Sequence, residues 1–161
     1  MVGMSTETKC NLYPDGDRKT LFEEALKYQD FVVDILLKEL GLVVSNYSSK
    51  YYQYKFGESR QGVEIKMDLR MTETKNVSIE VAEKSRADIE NWTPSGIMRK
   101  DNTWLYVQGN YEKIFIFGKV ILQGIYRYRY ADKVRTPKPT IQTFLLPFEQ
   151  ANKYALKVID V

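Results

Sequence analysis

The sequence predicts a mixed α/β (α+β) domain, a central mixed β-sheet flanked by helices, on three observations. Residues 20–40 repeat apolar side chains at helical spacing. Residues 63–70 and 77–84 alternate apolar and charged side chains with period two, as half-buried strands do. Further short strands and helices then succeed one another without a linker, an internal repeat or a low-complexity tract. At 161 residues the chain suits a single domain, 1–161, with a sizeable core.

In chain order, Pro14-Asp15-Gly16 reads as a turn. Thr20-Leu-Phe-Glu23 then fits a capping box, in which the Thr and the Glu satisfy orphan amides at a helix start. Gly41 supplies the stop. The tyrosine-rich residues 51–56 read as a first strand, with Tyr51, Tyr52 and Tyr54 packing on a sheet. Residues 61–84 read as a hairpin, with Val63, Ile65, Met67 and Leu69 on one face and Glu64, Lys66, Asp68 and Arg70 on the other. Its second strand sets Val77, Ile79 and Val81 inward. Residues 85–92 read as a short helix ended by Pro94. Strands follow at 103–108 and 113–117, with Trp104, Tyr106, Phe115 and Phe117 in the core. A helix at 119–126, a basic loop at 127–138, a strand at 140–146 and a last helix at 148–159 complete the order.

Composition narrows the chemistry. Histidine is absent, which removes Ser-His-Asp and Cys-His catalysis and His-ligated metals. Cys10 is the single cysteine, so neither an intrachain disulfide nor a cysteine-rich zinc site is expected. Any catalysis falls to carboxylates, lysines and tyrosines. No apolar run is long enough to span a membrane and no signal-peptide pattern opens the chain, so the expected location is cytoplasmic, without membrane contact. The net charge of +3 says little about partners.

Within the expected hairpin, parity sets Asp68 against Glu80, Glu64 against Lys84 and Lys66 against Ala82. Directly opposed carboxylates, with Cβ atoms about 5 Å apart, repel unless a cation lies between them. Mg²⁺ (or Mn²⁺) is typically held by one or two carboxylates, waters and a substrate phosphate. With lysines beside it, such a pair fits hydrolysis of a phosphate ester. A purely solvated face, paired by Glu–Lys contacts, is the competing reading.

These residues resemble the PD-(D/E)XK nuclease superfamily, over residues 20–117. More narrowly, Glu64-Ile-Lys66-Met-Asp68, then Ile79-Glu80, Ser95-Gly96-Ile97 and Trp104 are similar to a phage-type branch with Glu-x-Lys-x-Asp, Glu and a Ser-Gly loop. The resemblance implies a restriction-endonuclease-like core and a metal-dependent nuclease hydrolysing DNA phosphodiester bonds. Asp68 and Glu80 would be the metal ligands, and Lys66 or Lys84 the catalytic lysine. Glu64 lies about 13 Å along the strand from Asp68, so it is either a ligand in a shifted register with Lys84 or a group that orients Lys66. Ser95 and Gly96 would offer backbone amides to a phosphate. The chain departs from the common pattern in two ways. Its Glu-x-Lys comes first, and Ala82 stands where a Lys would follow Glu80, although a bulge near Ala82 would bring Glu83 to the active face. The alternative is therefore a catalytically inactive nuclease-fold protein that binds nucleic acid or a protein partner. Many relatives act as dimers, so a homodimer is possible.

Residues 126–138 interleave aromatics with basic residues, and Arg127, Arg129, Lys133 and Arg135 are the candidate DNA phosphate contacts. A solvated stretch beside an edge strand would show the same composition.

Overall fold

The computed structural model describes residues 15–161, so Cys10 and Pro14 lie outside the described residues. Helix α1 (Asp15–Leu40) begins ahead of Thr20, which puts the expected capping box in the helix interior. Threonine is tolerated there, and Asp15 and Asp17, poor in a helix interior, are favourable in a first turn. Gly41 ends the helix as expected. Its left-handed φ of 63° lets the amides of Gly41 and Leu42 return to the carbonyls of Leu37 and Leu36.

Among the described residues, eight strands form two four-stranded sheets rather than the one expected. The first has the order β1 (Val63–Met67), β4 (Leu105–Gly109), β5 (Lys113–Gly118), β8 (Lys157–Asp160). Only the β1–β4 pair in it is parallel. The second has the order β3 (Thr93–Pro94), β2 (Asn76–Glu83), β7 (Ile141–Pro147), β6 (Arg135–Lys138) and is antiparallel throughout. The expected hairpin is thereby overturned, because β1 and β2 belong to different sheets. A one-turn helix, α3 (Met71–Thr74), and the left-handed Lys75 replace the hairpin turn and redirect the chain. Asp68 does not oppose Glu80 as a strand partner, nor Glu64 Lys84. Glu64 instead runs beside Tyr106, and Glu80 beside Thr143.

The tyrosine-rich stretch is helix α2 (Lys50–Phe56), not a strand. The Ser49 hydroxyl caps its start by accepting from the Tyr52 amide, and Gly57 (φ 125°) closes its end. Two good caps outweigh aromatic β-propensity here. Residues 85–92 form no helix. The Arg86 side chain instead pairs with Asp88 two residues on, a spacing whose side chains do not face each other on a helix. Helix α4 (Lys119–Ile125) is where expected. A five-residue π-helix, Tyr126–Tyr130, and β6 occupy the expected basic loop. Helix α5 (Phe148–Tyr154) stops early, and the β-branched Val158 and Ile159 enter β8 on the otherwise open edge of β5.

The elements enclose two cores. Tyr28, Val32 and Leu36 of α1 pack on Val63, Ile65, Leu105, Val107, Ile114 and Ile116, one face of the first sheet. The opposite parity, Tyr106, Phe115 and Phe117, packs on Val77, Ile79, Phe144 and Leu146 of the second sheet, with Leu122 and Ala151 from α4 and α5. Trp104, expected in the core, is about half exposed, and its indole N–H donates to the Gln61 carbonyl at 2.7 Å. Among the described residues no helix is long and apolar enough to cross a membrane.

Candidate functional site

Alternation along β1 sends Val63 and Ile65 toward α1, so Glu64 and Lys66 take the parity that Tyr106 and Gln108 take on the neighbouring β4. That face meets the edge of β2. There the Asp68 carboxylate accepts from the Ser78 amide at 3.0 Å, and the Gln108 side-chain amide donates to the Ser78 carbonyl at 2.6 Å. Gln108 also reaches the same Asp68 oxygen at 3.4 Å. Side chains of the first sheet thus satisfy backbone groups of β2, and Asp68 is fixed beside that strand. Glu80, two residues beyond Ser78, stands about 7 Å further along it.

Glu80 has its own support. Its Oε1 accepts from the Ser95 hydroxyl at 2.6 Å, a short charge-assisted bond. Gly96 packs against the Glu80 backbone with φ +50°, and an added Cβ would stand 2.4 Å from the Glu80 carbonyl oxygen. The Ser95-Gly96 pair therefore positions a carboxylate. The expected role of the Ser95 amide at a phosphate does not hold, because that amide donates to the Val81 carbonyl at 3.1 Å.

Glu64 is buried, with 1% of its surface exposed, and its Oε1 lies 3.1 Å from the half-buried Lys66 Nζ. Its second oxygen, Oε2, is buried without a hydrogen-bond partner. Burial raises the Glu64 carboxyl above the usual glutamate range against the pull of Lys66, with Glu58 and Asp101 acting in the same sense as burial. For Lys66, burial opposes the charge, but Glu64, then Glu80 and Glu58, outweigh it and hold the ammonium above its usual range. The Tyr106 phenol is pushed well above its usual range by burial and then by Glu64, Glu80, Glu58 and Asp68. Four carboxylates thus gather within electrostatic reach of one buried tyrosine, with Lys66 among them.

Lys84 lies elsewhere: its ammonium sits 4.4 Å from the centre of the Trp92 ring. The register of β2 slips between Glu80 and Ala82, where a bulge is expected, and Glu83 is exposed, pairing with Thr93 and Ile141. Arg127, Arg129, Lys133 and Arg135 are all exposed. The aromatics between them divide. Tyr126 and Tyr130 stack on Phe144 of the core, and Tyr128 is 89% exposed. Arg135 pairs with Thr143, which pairs with Glu80, so the three share one row across the sheet. Arg135 is then about 10 Å from Glu80 at the backbone, two strand spacings.

Sequence reasoning missed Glu58, Gln108 and the part played by Tyr106. A glutamine in the apolar run 104–108 was a readable signal, since a buried amide needs partners. Glu58, in a polar turn, carried none. Comparison with known proteins finds no matching family model, no matching curated sequence and no matching solved structure.

Proposed function

We propose that this chain is a divalent-metal-dependent nuclease that hydrolyses DNA phosphodiester bonds at the seam between the two sheets. The observation that carries the reading is a set of carboxylates, Glu64, Asp68 and Glu80, held beside Lys66 by hydrogen bonds and an ion pair between the two sheets. Glu58, Glu64, Asp68 and Glu80 all act on Tyr106, while Lys66 sits among them. Such an arrangement stabilises the fold poorly by itself and well around a cation.

Among the described residues no three Asp, Glu or Cys side chains stand close enough to cage an ion. Mg²⁺ does not need such a cage, since one or two carboxylates with waters and phosphate oxygens suffice. Asp68 and Glu80 fit that role. Ser78 and Gln108 engage one Asp68 oxygen and Ser95 engages one Glu80 oxygen, which leaves the other oxygen of each carboxylate to a ligand. Bound there, the ion would polarise the phosphate and lower the pKa of a water. Lys66, held protonated by its neighbours, is suited to stabilise charge on a phosphate oxygen rather than to act as a base. Glu64 positions Lys66, and Ser95 positions Glu80. Arg135, in the Glu80 row, with Arg127, Arg129 and Lys133, would hold flanking phosphates in a salt-dependent way.

The test is incubation with supercoiled and single-stranded DNA in Mg²⁺, Mn²⁺ or EDTA, alongside Asp68→Asn and Glu80→Gln. Metal-dependent cleavage should fall by ~100-fold or more in each variant, as loss of one electrostatic group at a reacting centre does. Cleavage surviving both substitutions would contradict the site. Ala82, in place of the lysine that the superfamily pattern has after its Glu, favours a second reading, binding without cutting. That protein would bind DNA equally well in EDTA and cleave under no condition.

A further inference from the structure

Helix α2 exposes more aromatic surface than a seven-residue helix needs. Tyr51, Tyr52, Tyr54 and Phe56 are between 41% and 80% exposed. Left in water, each forgoes the gain that burial gives an aromatic side chain. The exposure is ordered. Tyr52 and Phe56, one helical turn apart, stack with ring centres 6.0 Å apart and planes 13° apart. Tyr47 joins them at 6.2 Å and 6.0 Å. The three rings border an open cavity of about 520 Å³ that Asn46, Ser48 and Arg60 complete, with no acidic side chain in its lining. The Arg60 guanidinium lies 5.9 Å from the Tyr47 ring centre, and the Lys55 ammonium 5.2 Å from that of Phe56.

From these contacts we infer that the Tyr47–Tyr52–Phe56 face binds the unpaired bases of a single nucleic-acid strand, with Arg60 and Lys55 at its phosphates. Aromatic rings that keep exposed area at a cavity, with cations beside them, are what base stacking along a phosphate backbone requires. Asn46 and Ser48 line the same cavity and bring to it an amide and a hydroxyl, groups that can pair with a base edge. A duplex, whose bases are stacked on each other, cannot use such a face.

The face is joined to the seam. Glu58, between Phe56 and Arg60, is one of the carboxylates acting on Lys66 and Tyr106. The Arg99 guanidinium donates to the Gln53 carbonyl, which fastens α2 to the loop carrying Ser95 and Gly96. Delivery of a strand stacked on Tyr52 toward Glu80 and Lys66 is part of the inference, carried by the Arg99 tie between α2 and the segment that bears Ser95, the partner of Glu80. The inference deepens the nuclease reading and rests on it for that delivery, but the binding itself does not.

Fluorescence anisotropy in EDTA, with a labelled short oligothymidylate and a labelled blunt-ended duplex that has no loop, separates the two. Tyr52→Ala should weaken single-strand binding by ~5- to ~100-fold, the usual effect of removing a stacking ring. Tyr52→Phe should keep the affinity, and duplex binding should not change. Unchanged thermal unfolding of Tyr52→Ala, a half-exposed position, checks the fold. Wild-type affinity of Tyr52→Ala for the oligonucleotide, an equal loss on duplex, or no single-strand affinity in the wild type overturns the inference. Tyr52-dependent binding without any metal-dependent cleavage would leave this face standing and sink the nuclease reading alone.

Discussion

Two groups of buried charges flank β4, and they are built on opposite principles. Before the strand, the Asp101 carboxylate is fully enclosed and meets Lys119 Nζ at 2.7 Å and Arg99 Nε at 3.4 Å. It also accepts from the Thr103 amide at 2.9 Å, and Lys119 donates a further bond to the Arg99 carbonyl at 2.6 Å. Two cations face one anion: Oδ1 takes the hydrogen bonds, and Oδ2, which has none among the described residues, is paired in charge by Arg99. Along β4, by contrast, Glu58, Glu64 and Glu80 act on Lys66, and with Asp68 they act on Tyr106, so carboxylates outnumber the cation they surround. The first group fastens a loop to α4. The second gathers carboxylates around Lys66 between the two sheets, and the difference teaches that buried charges can be matched by cations or left with one sign in the majority.

Substitutions should separate the two groups. The largest effect belongs to Lys119→Ala, which leaves Asp101 buried with weakened compensation. Urea unfolding should show a loss of ~3–5 kcal/mol, the usual result of breaking a buried pair. Next comes Gly96→Ala, whose Cβ would collide with the Glu80 backbone at a left-handed position. It should cost ~1–3 kcal/mol in the same measurement and lower cleavage by displacing Glu80. Asp68→Ala strips the Ser78 amide of its acceptor and should cost ~1–3 kcal/mol. Asp68→Asn keeps an acceptor there and should cost less, while abolishing cleavage as fully. A seam variant that cost as much stability as Lys119→Ala, with cleavage intact, would erase the contrast.

The smallest effect is a pH dependence. The Glu64 carboxyl is raised by burial, so the folded chain binds its proton more tightly than the unfolded chain does. Its contribution to stability is therefore present at low pH and lost as pH rises from the usual glutamate range through the raised value. Glu64→Gln should flatten that part of the stability–pH curve. Lys66→Met, which removes the opposing pull, should extend the fall to higher pH. Thermal unfolding followed between acid and neutral pH checks both, and a Glu64→Gln curve parallel to the wild type contradicts the assignment.

Much of the fold was legible. The body of α1, both cores' alternation in β1, β2, β4 and β5, and helix α4 follow from periodicity. Pairing did not. Period two says which face a residue takes, whereas the partner of β1 was decided by α3 and by Lys75, whose left-handed backbone no residue preference announces. The strand expected at 51–56 failed because Ser49 and Gly57 cap a helix, and the last strand was hidden in a run that also scans as helix. Glu64, Lys66, Asp68 and Glu80 were legible as charges opposite a core face. Their grouping depends on long-range contacts, above all Gln108 reaching Ser78 and Asp68, which spacing along the chain does not encode.

Calorimetric titration of Mn²⁺ into the metal-free protein tests the central claim most directly. Binding of one ion per chain is expected for the wild type, abolished by Glu80→Gln and by Asp68→Asn and retained by Lys119→Ala under conditions where that variant is folded. Absence of binding, or binding that both carboxylate variants retain, would contradict a metal at the seam.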